Sequence, residues 1–399
     1  MNAGRFNPLV AALGTPPIPA IKEWARGYEG DHGPLIDLSQ AAPGYPPHPR
    51  LLAALARAAG SASTAGYGPI EGEAVLRTAY ARELNALYGA DVDTDDVHIT
   101  AGCNQAFAAA VLALVGSGER VALLCPFYFN HQTTLAMLGV GCVSIDCHAA
   151  QGFVPGLADI ERALDASVRA LVLITPNNPT GAVYPPQLLS DIFEICRSRG
   201  IWLLIDETYR DFLPVNTTHA PPHGLLADAA WRDTLVALYS FSKSFSIPGH
   251  RLGALTASPA VVAQVVKVMD NLQICAPRAP QVALAQVMGE LDTWRAANRS
   301  EITQRAECFR DALAEAPGWE IEAIGAYFAY VRHPFAHQGS EPVARHLATG
   351  AGVLTVPGSF FGPGQEQHLR MAFANVDAAA IGQLSARLRA ATDAPWRAG

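Results

Sequence analysis

A lysine ringed by hydroxyls is the first feature of this chain that could do chemistry. Lys243 sits among Ser240, Ser242, Ser244 and Ser246, and Arg251 follows a Pro248-Gly249 turn. The only other lysines are Lys22 and Lys267; arginine supplies the remaining fixed positive charge. Arginine cannot replace an amine that must lose its proton to form an imine, because a guanidinium stays charged at any usable pH. A lysine placed just after an apolar run is therefore a candidate Schiff-base nucleophile. Taken alone, the segment reads as a surface lysine in a serine-rich loop. The polar residues that end two other apolar runs reverse that reading.

Ala170 to Ile174 is followed by Thr175-Pro176-Asn177-Asn178-Pro179-Thr180-Gly181, Ile201 to Ile205 by Asp206-Glu207-Thr208-Tyr209, and Thr234 to Leu238 by the Lys243 loop. Short, nearly unbroken apolar runs are expected of strands covered by helices on both faces. A helix is predicted between the first two, from Pro186 to Arg199, ended by Gly200. That strand–helix–strand unit implies a largely parallel sheet with right-handed crossovers. Ligands bind such sheets beyond the carboxyl ends of the strands. Asn178, Asp206, Tyr209 and Lys243 should therefore converge on one cleft.

Other elements must hold that cleft. Val97 to Thr100 reads as a strand turning through Gly102 into an apolar helix at Ala106 to Leu114. Such a turn offers unpaired N–H groups and the positive end of a helix dipole to a phosphate. Val121 to Cys125 and Val140 to Asp146 read as further strands. Helices are predicted at Pro49 to Ala59, at Glu73 to Tyr88 with Leu76, Tyr80, Leu84 and Leu87 on one face, and at Val261 to Gln273. Two more are predicted at Pro280 to Arg295 and Asn298 to Glu315. A closing α+β part holds Trp319 to Glu322, Gly325 to Val331 and His368 to Phe373. Tyr67, in the loop Gly66 to Gly72, reads by itself as a packing residue.

Composition narrows the class. At 399 residues, 50 % hydrophobic and 16 % charged, the chain has ample material for a buried core and the length for two domains. A net charge of −8 gives no electrostatic reason to bind nucleic acid. The seven cysteines form no Cys-x-x-Cys pair and no zinc spacing, so no metal site is read, and a reduced, cytoplasmic setting is expected. No apolar run is long enough to span a membrane, and the first twenty residues make a poor signal peptide. No dinucleotide or Walker loop is present, which sets aside a nucleotide-binding α/β protein.

A lysine imine becomes a strong catalyst when an attached ring accepts electrons, as pyridoxal phosphate does. Such a ring needs an anion at its nitrogen (Asp206), donors at its phenolic oxygen (Asn178, Tyr209) and a phosphate cradle (the Gly102 turn, Ser240, Ser242, Arg251). An amino-acid carboxylate needs an arginine fork, for which Arg370 is the candidate. With these residues in view, the chain resembles a fold-type I pyridoxal-phosphate-dependent aminotransferase of class I/II. The matching pieces run in family order from about residue 35 to 375. They include Tyr67 with Gly72, Gly102 with Gln105, Pro126 with Tyr128, Asn177 to Gly181, Asp206 with Tyr209, Ser240 with Lys243, Arg251 with Gly253, Pro357-Gly358, and Leu369-Arg370.

The resemblance implies a large domain (46–285) with a mostly parallel, seven-stranded type of sheet sandwiched by helices. A smaller α+β domain would be built from 1–45 and 286–399. It implies that Lys243 carries the cofactor as an imine and later shuttles a proton, with Asp206 and Tyr209 as its catalytic partners. Tyr128 would stack on the ring. The backbone of Cys103 and Asn104, with Ser240, Ser242 and Arg251, would hold the phosphate, and Tyr67 would reach the phosphate of a neighbouring subunit in a homodimer. Arg370, with Asn178 and Ala41, would bind the substrate, an L-α-amino acid or 2-oxo acid. A lyase or oxidase on the same fold is the rival reading. Two departures stand out: Ala41 replaces a glycine common in the family, and His131 sits where many relatives place a second aromatic. Both are expected to touch the substrate pocket rather than the cofactor. No second arginine is placed opposite Arg370; Arg278 reads as a surface residue at a helix start.

Overall fold

The computed structural model describes residues 6–214, 221–394 and 396. A two-residue strand near the start, β1 (Ile36–Asp37), is followed by seven that form the central sheet. These are β2 (Val97–Thr100), β3 (Arg120–Cys125), β4 (Gly141–Asp146), β5 (Val168–Ile174), β6 (Trp202–Asp206), β7 (Leu235–Ser240) and β8 (Gly253–Thr256). Their order is β2-β8-β7-β6-β5-β3-β4, and β8 alone runs against the others. The fold is α/β with a mostly parallel, seven-stranded sheet flanked by helices.

Alternation along the strands shows why. In β5, Leu171 and Leu173 join one core cluster while Ala170 and Val172 join another. In β6, Leu203 and Ile205 face the first and Leu204 the second; β7 divides Leu235 and Ala237 from Val236 and Leu238 in the same way. Each face is closed by helices: Pro49–Ala59, Ala74–Tyr88, Pro186–Arg199 and Arg278–Val287 on one side, Cys103–Leu114 and Pro259–Leu272 on the other. Fully burying one of these Leu or Ile side chains contributes about 1.5–3 kcal/mol. Helix Pro186–Arg199 has the expected bounds, and Gly200 ends it at φ +65°, a left-handed conformation that suits glycine.

A second, antiparallel sheet follows in the C-terminal third, built from β9 (Glu320–Gly325), β10 (Phe328–Arg332), β12 (Val356–Pro357) and β13 (His368–Met371), in the order β12-β13-β10-β9. Between these, β11 (Val353–Leu354) pairs in parallel with β1, which ties the N-terminal segment to the C-terminal part.

Two local expectations need correction. The helices expected at Pro280 to Arg295 and Asn298 to Glu315 divide earlier, at the turn Met288–Glu290. A single helix then runs from Asp292 to Ala314. Leu87 points outward, away from Leu76, Tyr80 and Leu84, because the buried face of its helix moves on to Tyr88. Among the described residues, no helix is long and apolar enough to cross a membrane.

Candidate active site

At the carboxyl ends of β5, β6 and β7 lies a cavity of about 230 Å3. Each strand delivers its polar residue by a local device. After β5, the Asn177 side chain accepts from Thr180 N at 3.1 Å and Thr180 Oγ1 at 2.9 Å, curling the loop so that Asn178 lines the cavity. Gly181, at φ +77°, closes that loop where a Cβ would lie 2.3 Å from the backbone of Gly325, so only glycine lets the two segments meet. After β6, Asp206 accepts from Thr208 N at 2.9 Å. After β7, Ser240 caps a one-turn helix, Phe241–Ser244, by accepting from Ser242 N at 3.4 Å, and Lys243 follows into the cavity.

Lys243 Nζ donates to the backbone carbonyl of Ala41 and lies 5.9 Å from the centre of the Tyr209 ring. Burial, reinforced by the positive charges of Arg370 and Arg251, lowers its pKa to about 8. Arg370 is buried, and burial brings its pKa down to about 10. One arm of its fork donates to Asn178 Oδ1 at 3.0 Å and the other to the carbonyl of Ser39, while Nε has no partner. Among the described residues, no carboxylate comes within ion-pair distance of Lys243, Arg251 or Arg370. The site is short of negative charge.

A phosphate-bearing group fits here. Helix Cys103–Leu114 begins after Gly102 with no side-chain cap, and Gly102 holds φ +92° with Arg251 so close that a Cβ would meet its Nη2 at 2.3 Å. Arg251, itself at φ +53°, is fixed by donating to Pro248 O at 3.0 Å and Ala101 O at 3.2 Å. The Ser242 hydroxyl is buried without a hydrogen-bond partner, an atom prepared for an acceptor. Helix N–H groups, a free hydroxyl and a guanidinium form the donor set an anion requires. Among the described residues, no cluster of His, Cys, Asp or Glu could hold a metal ion.

Cys103, Asn104, Tyr128, Asn178, Asp206, Tyr209, Ser240, Ser242, Lys243, Arg251, Arg370 and Ala41 all line this cavity. Tyr67 does not: it stands on a surface loop, 81 % exposed. Arg278 is not the surface residue expected of it, since it pairs with Glu73 at 2.5 Å and donates to the carbonyls of Gly66 and Tyr67. His131 also departs from expectation. It lies on the buried face of helix Phe129–Leu138 and so sits behind the cavity, with Nε2 3.5 Å from Asp206 Oδ2 and its ring stacked on Phe107 at 4.0 Å. Burial lowers its pKa to about 4 against the pull of Asp206, so it is neutral at pH 7. Sequence reasoning did not pick out Ile18, Gln40, Phe129 or Thr208, which also line the wall.

Comparison with known proteins agrees with this geometry. The family described as aminotransferase class I and II matches residues 33–388. An aromatic aminotransferase of Arabidopsis thaliana is 29 % identical over 331 residues, 81 % of each chain. A probable N-succinyldiaminopimelate aminotransferase of Mycobacterium tuberculosis is 30 % identical over 82 % of each. The solved structure of a Thermus thermophilus aspartate aminotransferase mutant superimposes with a TM-score of 0.88 at 22 % identity. It covers 98 % of this chain and 100 % of its own. This chain belongs to the class I and II aminotransferases and is a pyridoxal-phosphate-dependent transaminase.

Proposed function

We propose that this cavity moves an amino group from an uncharged L-α-amino acid to a 2-oxo acid, with Lys243 as the amine that carries the proton. The observation that carries this reading is Lys243 itself: a lysine with its pKa lowered to about 8, facing Asp206 and Arg370 across one cavity. At neutral pH, such an amine exchanges its proton far more readily than an ordinary lysine.

When bound, pyridoxal phosphate supplies an electron sink that stabilises negative charge at the substrate Cα. The chain's residues would do the rest. Asp206 would hold a proton on the ring nitrogen, backed by neutral His131. Asn178 already spends Oδ1 on Arg370, which leaves its Nδ2 to donate to the ring oxygen beside Tyr209. Tyr128 would cover the ring face. Ser240, Ser242, Arg251 and the N–H groups of Cys103 and Asn104 would bind the phosphate. Arg370 would clamp the α-carboxylate. Lys243 Nζ would take the proton from the substrate Cα and return it on the far side of the transfer.

Specificity follows from what remains. Once Lys243, Arg251, Arg370 and Asp206 are engaged, the residues left to meet a side chain, Ile18, Gln40, Ala41 and Phe129 among them, are all uncharged. Lys22, the cation near this wall, donates to Gln40 Oε1 at 3.0 Å and does not itself line the cavity. This supports a neutral side chain over a second carboxylate or an amine. Two further features support the wider reading. Tyr67 is held on the surface by Arg278, as suits a phenol serving the site of a second copy in a homodimer. All seven cysteines are unpaired, as suits a reducing cytoplasm.

The test is a panel of amino acids offered with pyruvate as amino acceptor. Neutral amino acids should exceed aspartate, glutamate and lysine in kcat/KM by about tenfold or more; a clear preference for a charged donor would contradict the specificity stated here.

A further inference from the structure

Behind the cavity, the segments that carry its catalytic groups send alternate side chains into a second, closed set of polar residues. Asp206 and Tyr209 line the cavity, while Glu207, Arg210 and Asp211 do not; Ser240 and Lys243 line it, while Tyr239 and Ser244 do not. These hidden neighbours meet. Asp211 accepts from the Tyr239 hydroxyl at 2.6 Å and from Arg295 at 2.5 Å. Arg295 also pairs with Glu83 at 3.0 Å, and Arg210 reaches Glu83 at 3.5 Å. The Arg210 guanidinium lies 3.9 Å over the Tyr239 ring and donates to Tyr80 at 3.1 Å. Glu207 accepts from the hydroxyl of Tyr88 and meets His223 Nε2 at 3.1 Å. His223 Nδ1 accepts from Leu225 N, so Nε2 carries the proton and donates to Glu207.

The link nearest the chemistry is Tyr239. Its hydroxyl lies 2.5 Å from Ser244 Oγ as well as 2.6 Å from Asp211. Asp211 can only accept, so Tyr239 donates to it and must accept from Ser244. The chain of bonds thus runs from Ser244 through Tyr239 to Asp211. One end is the residue after Lys243; the other is two residues beyond Tyr209. Tyr239 and Ser244 are buried and the Asp211 carboxylate is 15 % exposed, so few waters compete for these bonds and each holds its geometry firmly.

We propose that Tyr239 is a positioning residue for the transfer: its hydroxyl clamps the Lys243 turn to the Asp206–Asp211 segment and so fixes where Lys243 Nζ stands. This rests on the reading of Lys243 as the proton carrier. A lysine displaced by a fraction of an ångström still meets cofactor and substrate but takes the proton less often, so the loss falls on kcat and not on KM.

The experiment compares the holoenzyme with Tyr239→Phe, Ser244→Ala and the double variant, using a good neutral substrate with hydrogen or deuterium at Cα. Tyr239→Phe keeps the ring beneath Arg210 and deletes only the bridge. Each single variant should lose about tenfold in kcat with KM and cofactor affinity unchanged, and its deuterium isotope effect should rise. The double variant should fall no further, because both changes cut one bridge. If Tyr239→Phe does not fold, Ser244→Ala alone carries the comparison. A lowered Tm with kcat and isotope effect unchanged, or independent losses that multiply in the double variant, would overturn the proposal. If Lys243→Ala turns over as fast as the wild-type enzyme, the reading of Lys243 fails instead.

Discussion

Two regions of this molecule share the same strands and treat charge in opposite ways. In the cavity, Lys243, Arg251 and Arg370 lack ion-pair partners among the described residues, and the pKa of Lys243 and that of Arg370 are both lowered. Behind it, Arg210 and Arg295 face Glu83, Glu207 and Asp211. Burial alone would lower both arginines and raise the acids, but their neighbours outweigh it: Tyr80, Tyr88, Tyr239 and Glu207 around Arg210, Asp211 and Glu83 around Arg295, His223 and then Arg210 at Glu207, and Arg295 with Arg210 at Asp211. Both arginines are pushed above the ordinary value, Glu207 below its own, and Asp211 down to about 2. Adjacent residues such as Asp206 and Glu207 therefore belong to different electrostatic worlds. One side pairs its cations with its own anions; the other is short of anions that a phosphate and a carboxylate can supply.

The two sides should respond differently to the loss of a cation. Arg210→Met removes the arginine facing buried Glu207, leaving it only His223 and Tyr88, and one of the two arginines that face Glu83. It should destabilise the protein by about 3–5 kcal/mol, read as the midpoint of denaturant unfolding, while the surviving folded enzyme keeps its KM. Arg370→Met should do the reverse. Its removal relieves a buried cation at the expense of two hydrogen bonds, so stability should change by less than about 1 kcal/mol. KM for the amino acid should rise by about tenfold to a hundredfold through loss of a charge-assisted fork. Equal losses of stability in the two variants would erase the contrast.

The same variant probes Lys243 more gently. The neutral amine is the reactive form, so labelling of Lys243 in the cofactor-free protein should rise with pH and level off above about 8. An ordinary lysine would still be rising there. In Arg370→Met one of the cations that oppose protonation is gone, so the plateau should move to higher pH. A plateau that stays in place would remove Arg370 from the causes of the shift.

Much of the cavity was legible in the amino-acid sequence, and the ion-paired side was not. The apolar runs ending in Asn178, Asp206 and the Lys243 loop are local patterns, and parallel-sheet topology alone directs their ends to one place. Glu207, Arg210, Asp211 and Arg295 carry no such pattern. Charged residues in a helix or after a strand read as surface, and Arg295 finds Glu83 only across 212 positions of sequence. His131 was misjudged because its spacing from Tyr128 tells little about which face of a new helix it will occupy. Gln40 and Ile18 belong to segments whose approach to the cavity is decided by tertiary packing. The helix break at Met288–Glu290 carries no proline to announce it.

The most direct test of the account is the first half of the reaction, followed in one turnover. Wild-type protein and Lys243→Ala, each loaded with pyridoxal phosphate, would be mixed with a neutral amino acid while the absorbance of the bound cofactor and the 2-oxo acid are recorded. Rapid 2-oxo acid formation is expected of the wild type and a rate lower by about a thousandfold or more of Lys243→Ala, with partial recovery on adding a small primary amine. Equal rates in the two proteins would contradict it.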